Sequence, residues 1–200
     1  DTAAVAFYDS LSPSKLKSLA NERLSDLIDK EAVRARTSLD DLQQRYPSAG
    51  PRELSQRYID SRKQAASVLG GVTGVFGAVT VPVDLVGMVY LQLALLVEIG
   101  TVFKADFKNE RGKKDVLDLF GYANGIGPIQ RASPKVLGSL AAMVLTKTGL
   151  KALGRAMPLV AAPISAYLNN QHVQRVGDSA IRHYDGWVHA HEKSKKASGS

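Results

Sequence analysis

The 200-residue chain is 44% hydrophobic and 22% charged, a composition that suits one ordinary globular domain with a helical arm and excludes a disordered chain. Without cysteine it has no disulfide scaffold, no thiolate zinc site and no thiol nucleophile. Its net charge of +7 is segregated: residues 1–118 carry 16 basic and 16 acidic side chains, whereas residues 119–200 carry 10 basic and three acidic.

In chain order, no charged-then-apolar signal pattern is visible near Asp1. Leu16, Leu19, Leu24, Leu27, Ile28 and Leu42 then recur at three- and four-residue steps among many charges, which predicts an amphipathic helix over 14–46. Ser12-Pro13-Ser14 supplies its start, and Pro47-Ser-Ala-Gly-Pro51 its stop. A second helix is predicted from about Arg52, with Leu54, Tyr58 and Ile59 on one side.

Composition changes at Gln64. An uncharged stretch with Gly70, Gly71, Gly74 and Gly77 runs to Val83, and Leu85–Phe103 is apolar apart from Gln92 and Glu98. Two further apolar zones cover Val136–Leu145 and Ala156–Leu168, the latter containing Pro158 and Pro163. Helix breakers or carboxylates interrupt each zone, so none is a clean membrane span, and buried helices are expected instead. Two-residue alternation is scarce. The predicted fold is therefore an all-α, single-domain helical bundle of six to eight helices. An N-terminal amphipathic helical arm is expected over 1–63, Gly-rich apolar core helices over 64–188, and a disordered basic tail over 189–200.

Gly70, Gly74 and Gly77 fall on one helix face, where bare backbone lets another helix or a lipid chain approach closely. No Gly-Lys-Ser/Thr follows them, which argues against a phosphate loop. Thr80-Val-Pro-Val-Asp-Leu85 reads as a helix start, with Pro82 in the first turn and Asp84 facing the free N–H groups. Asp84 shares a face with Met88, Leu91 and Leu95. Glu98 lies on nearly the same face, but the helix between them separates the two carboxylates by roughly 21 Å, too far for an acid/base pair. The histidines, His172, His183, His189 and His191, all fall late. Neither a His-Glu-x-x-His nor a Gly-x-Ser-x-Gly motif occurs.

Between Asp118 and Asp178 there is no carboxylate, while Lys147, Lys151 and Arg155 form a stripe at four-residue intervals. With Leu140, Val144 and Leu145 on an apolar side, this suits an anionic membrane surface. Nucleic acid is disfavoured, because no aromatics interleave with the stripe.

Two blocks carry a family resemblance. Gly70-Gly-Val-Thr-Gly-Val-Phe-Gly-Ala-Val-Thr-Val-Pro-Val-Asp-Leu85, with Glu98-Ile-Gly100 ending the next helix, resembles the EcsC family. So does Met157-Pro-Leu-Val-Ala-Ala-Pro-Ile-Ser-Ala-Tyr-Leu-Asn169, followed by Val176-Gly-Asp-Ser-Ala180 and His183-Tyr184. Together they cover about 64–188, in the right order. Ala161 and Ser165 depart from the pattern, standing where glycine is common. The resemblance implies a bacterial, membrane-linked role in envelope, transport or secretion processes, and it supplies no catalytic residue. It also singles out Asp84 and Asn169 as polar positions within apolar blocks.

The expected function is binding of lipid or another apolar ligand by a membrane-associated helical protein, an accessory to those processes, and the sequence offers little that argues for an enzyme. The ligand would lie in a cavity with Gly70, Gly74 and Gly77 as a bare wall, Met88, Leu91 and Leu95 opposite, and Asp84 with Asn169 at its mouth. Lys147, Lys151 and Arg155 would bind the membrane. The alternatives are a metal-dependent hydrolase using Asp84, Glu98, Asp115, Asp118 and a histidine, or a protein-binding accessory of a transporter or secretion system. No cofactor, metal or nucleic-acid partner is expected. The expected location is cytoplasmic or peripheral to the inner membrane.

Overall fold

The computed structural model describes residues 13–73, 81–125, 127–128 and 162–198; within its helices the side chains at 13–17, 19–21, 23, 67–73, 81–88, 162–169 and 191–198 are outside that description. Among the described residues there are five helices and no strand. They are α1 (Pro13–Arg45), α2 (Pro51–Thr73), α3 (Val81–Val102), α4 (Glu110–Ala123) and α5 (Ala162–Ser198). α2 runs unbroken through the compositional change at Gln64, and α5 takes in most of the 189–200 segment.

Each helix begins or ends where its local chemistry requires. Pro51 and Pro163 sit in the first turns of α2 and α5, where a missing N–H costs no hydrogen bond. Asn109 caps α4 by accepting the Gly112 N–H at 2.7 Å. α3 ends in a Schellman turn, with Ala105 N–H donating to Gly100 O at 2.8 Å and Lys104 N–H to Thr101 O at 3.0 Å. Lys104 occupies the left-handed position of that turn, φ 62°, which glycine usually fills.

The apolar stripes meet in one core. Leu24, Ile28, Ala32 and Ala35 of α1 are buried together with Leu54, Tyr58, Ile59 and Ala66 of α2. Val116, Leu119 and Phe120 of α4 and Val173, Val176, Ala180 and Tyr184 of α5 join the same cluster. At its centre is α3, which touches all four other helices and is buried at every position from 91 to 100. A helix apolar on every side is a core helix, as its composition predicts.

α2 and α5 share the most extensive interface and run antiparallel: Arg52 reaches Asp185, Ile59 faces Gly177, and Lys63 reaches Gln174. Gly177 sets their separation, because a Cβ there would lie 2.4 Å from both Cγ1 and Cδ1 of the fully buried Ile59. Gly177→Ala should therefore destabilise the protein by about 1–3 kcal/mol through overpacking, as read from urea unfolding. Adding Ile59→Val, which removes the Cδ1 methyl, should return part of that loss.

Candidate functional site

Three polar constellations interrupt the apolar core. The first braces α3 against α1 and α2. Glu98 lies on an otherwise apolar stretch and is 9% exposed, so its carboxylate requires a partner. Arg62 of α2 supplies it through a fork, with Nε donating to Oε2 at 2.9 Å and Nη2 to Oε1 at 2.5 Å. Burial pushes the Glu98 carboxyl above its ordinary range, and the hydrogen bonds and charge of Arg62 oppose that rise without cancelling it. Nearby, the buried Glu31 of α1 accepts from Tyr90 Oη of α3 at 2.8 Å and from Arg34 at 2.6 Å. Both carboxylates are thus held by specific donors. This arrangement orients helices and leaves neither group free as a base.

The second constellation joins three elements near the C-terminus of α4. Asn124 Nδ2 donates to Gln92 Oε1 of α3 at 2.7 Å and to Phe120 O at 2.8 Å. Its Oδ1 must then accept, and it lies 3.3 Å from His172 Nε2 of α5. The neutral ring therefore carries its proton on Nε2. Burial, aided by the charge of Arg175, lowers the His172 pKa below its ordinary value.

The third lies where the α3–α4 turn meets α5 and encloses a pocket of about 240 Å³. The turn folds back because Phe107 is buried against Gly100, where a Cβ would come 2.5 Å from the Phe107 ring and 3.0 Å from Tyr184. Asp106 and Asn109 line the pocket, but their side chains are occupied within the turn. Asp106 accepts from Lys108 N–H and Asn109 Nδ2, each at 2.9 Å, and Asn109 holds the cap of α4. Asp115 also lines the pocket, is half-buried, and has no hydrogen bond or ion pair among the described residues. From α5 come His183, Tyr184 and Trp187. The His183 and Tyr184 rings meet edge to face at 5.1 Å. The Tyr184 hydroxyl is buried without a hydrogen-bond partner, and its burial raises its pKa.

Of the residues expected to line an apolar ligand site, Leu91 and Leu95 are buried in the core. Gly70 lies in α2, Asp84 and Met88 in α3 and Asn169 in α5, with side-chain placements outside the described set. Gly74, Gly77 and the basic residues Lys147, Lys151 and Arg155 fall outside the described residues. Of the carboxylates considered for hydrolysis, the three with described side chains have separate roles: Glu98 binds Arg62, Asp118 binds Lys114, and Asp115 faces the pocket. Among the described residues no three His, Asp or Glu side chains assemble a metal site. Trp187 was not singled out from the sequence, although it is the chain's one tryptophan. Comparison of the chain with family models, with curated proteins and with solved structures gives no match.

The lowered pKa of His172 has a definite sign for stability. The unfolded chain binds more protons at this position, so the contribution of the neutral ring is complete above the unfolded pKa and is lost as pH falls toward the folded one. Thermal unfolding of His172→Gln should show a shallower loss of stability than the unaltered protein from about pH 7 to about pH 5. Equal slopes would show that His172 does not drive the acid-side loss.

Proposed function

We propose that this protein is a peripheral membrane protein, docked on anionic lipid through its basic C-terminal half and acting as an accessory in envelope, transport or secretion processes at the inner membrane. The observation that carries the proposal is where the surplus of positive charge lies along the chain. In the first 118 residues, basic side chains are matched by acidic ones in number and repeatedly in contact, as in Arg34–Glu31, Arg57–Glu53, Lys113–Asp29 and Lys114–Asp118. The surplus lies beyond residue 118. There Arg175 and Arg182, two turns apart on one face of α5, are exposed and hold no ion pair among the described residues. Uncompensated cations of this kind attract an anionic lipid surface.

No helix among the described residues is long and apolar enough to cross a membrane, which agrees with docking at the surface. Lys147, Lys151 and Arg155 are the proposed principal contacts. The apolar ligand of this proposal would occupy the cavity bounded by Gly70, Gly74, Gly77, Asp84, Met88, Leu91, Leu95 and Asn169. Membership of the EcsC family is part of the same proposal. It rests on the resemblance of the two sequence blocks, Gly70–Leu85 and Met157–Asn169.

Co-sedimentation with phosphatidylglycerol vesicles, against phosphatidylcholine vesicles as control, tests the docking. The unaltered protein should pellet with the anionic vesicles alone. The triple variant Lys147→Glu, Lys151→Glu, Arg155→Glu should stay in the supernatant with its helicity unchanged, each contact contributing about 1 kcal/mol at such a surface. Absence of binding by the unaltered protein, or equal binding by the triple variant, would contradict the proposal.

A further inference from the structure

The pocket between the α3–α4 turn and α5 belongs to neither the proposed lipid cavity nor the basic stripe. Its distinguishing feature is Asp115, a half-withdrawn carboxylate that holds no hydrogen bond or ion pair among the described residues and feels only the charge of its neighbour Lys114, which is bound to Asp118. The neighbouring cations are committed or turned elsewhere. Lys114 binds Asp118 at 2.7 Å, and Lys113 binds Asp29 at 2.6 Å. Arg111, one helical turn before Asp115 and also on the pocket wall, is exposed and forms no ion pair with it.

We propose that this pocket binds a small organic ammonium ion, with Asp115 as its counter-charge and the ring of Trp187 as its aromatic wall, braced by His183 and the buried Tyr184. A carboxylate withdrawn from water gains from an opposite charge placed beside it. Aromatic faces attract cations through their quadrupole, tryptophan most strongly, and they can receive methylated ammonium groups that offer few or no N–H donors. Anions are disfavoured because two carboxylates, Asp106 and Asp115, line the space against the single guanidinium of Arg111. A volume of about 240 Å³ restricts the occupant to a small molecule or to the headgroup of a larger one. The wall is built before any ligand arrives: Phe107 under Gly100 fixes the turn, and Tyr184 is clamped between that glycine and His183.

Trp187 makes the test direct, since all tryptophan emission of this protein comes from the pocket rim. Titration with choline should change that emission saturably, whereas 3,3-dimethylbutan-1-ol, its uncharged isostere, should not. Asp115→Asn should weaken the choline response roughly tenfold or more, and Arg111→Gln should preserve it. Phosphatidylglycerol vesicles with and without added phosphatidylcholine form a second arm, in which a response to the added phosphatidylcholine but not to free choline assigns a lipid headgroup, and a response to free choline assigns a soluble ligand. The proposal is overturned if neither arm gives a saturable change, or if the isostere acts like choline. It is equally overturned if folded Asp115→Asn responds as the unaltered protein does. Because the isostere comparison uses the unaltered protein, it decides the matter even if Asp115→Asn fails to fold.

Discussion

The bundle depends on how one carboxylate is accommodated in its central helix. α3 is buried on all sides from 91 to 100, and Glu98 is the single charged residue in that stretch. An uncompensated charge there would cost more than several apolar contacts return, so α3 requires a cation at one height and one azimuth. Arg62 meets that requirement as a planar fork, whose two parallel hydrogen bonds specify orientation as well as distance. This fixes α2 along α3. Ile59, one turn earlier on α2, then meets Gly177, so the position of α5 follows from the same pairing.

Consequences extend to the far end of α3. Two residues after Glu98, Gly100 leaves room for the rings of Phe107 and Tyr184, which could not pack there against a Cβ. Phe107 anchors the turn from α3 to α4, and the Schellman hydrogen bonds aim the chain back toward α5. That return places Asp106, Asn109 and Asp115 opposite His183 and Trp187. The pocket is thus a product of the close approach at Gly100, and its walls come from the α3–α4 turn, α4 and α5. Structural and ligand-facing roles separate cleanly among the carboxylates: Glu31 and Glu98 have donors from the chain, and Asp115 has none among the described residues.

Helix type and position were legible in the sequence because periodicity and proline punctuation are local. The predicted 14–46 helix is Pro13–Arg45, and the predicted starts near Arg52 and at Thr80–Leu85 are Pro51 and Val81. Pairings were not legible. Periodicity assigns Glu98 to a face, but nothing local connects it to Arg62, 36 positions away. For the same reason Asp115 stands out only as one carboxylate among several, His183 only as one of four late histidines, and Tyr184 only within a resemblance. The signals that could have found more were a lone carboxylate in an apolar run, which demands a distant cation, and a lone tryptophan on a late helix. Neither signal names its partner.

The central claim is that Arg62 and Glu98 act as one unit that locks α2 to α3. A double-mutant cycle, followed by urea unfolding at neutral pH, measures that coupling directly. Replacing Arg62 alone with Met strands a buried carboxylate and should cost about 3 kcal/mol, and replacing both residues with Met should cost less than the two single changes added together. Losses that add, or an Arg62→Met loss below about 1 kcal/mol, would mean that the pair merely decorates a bundle held in register by its apolar contacts.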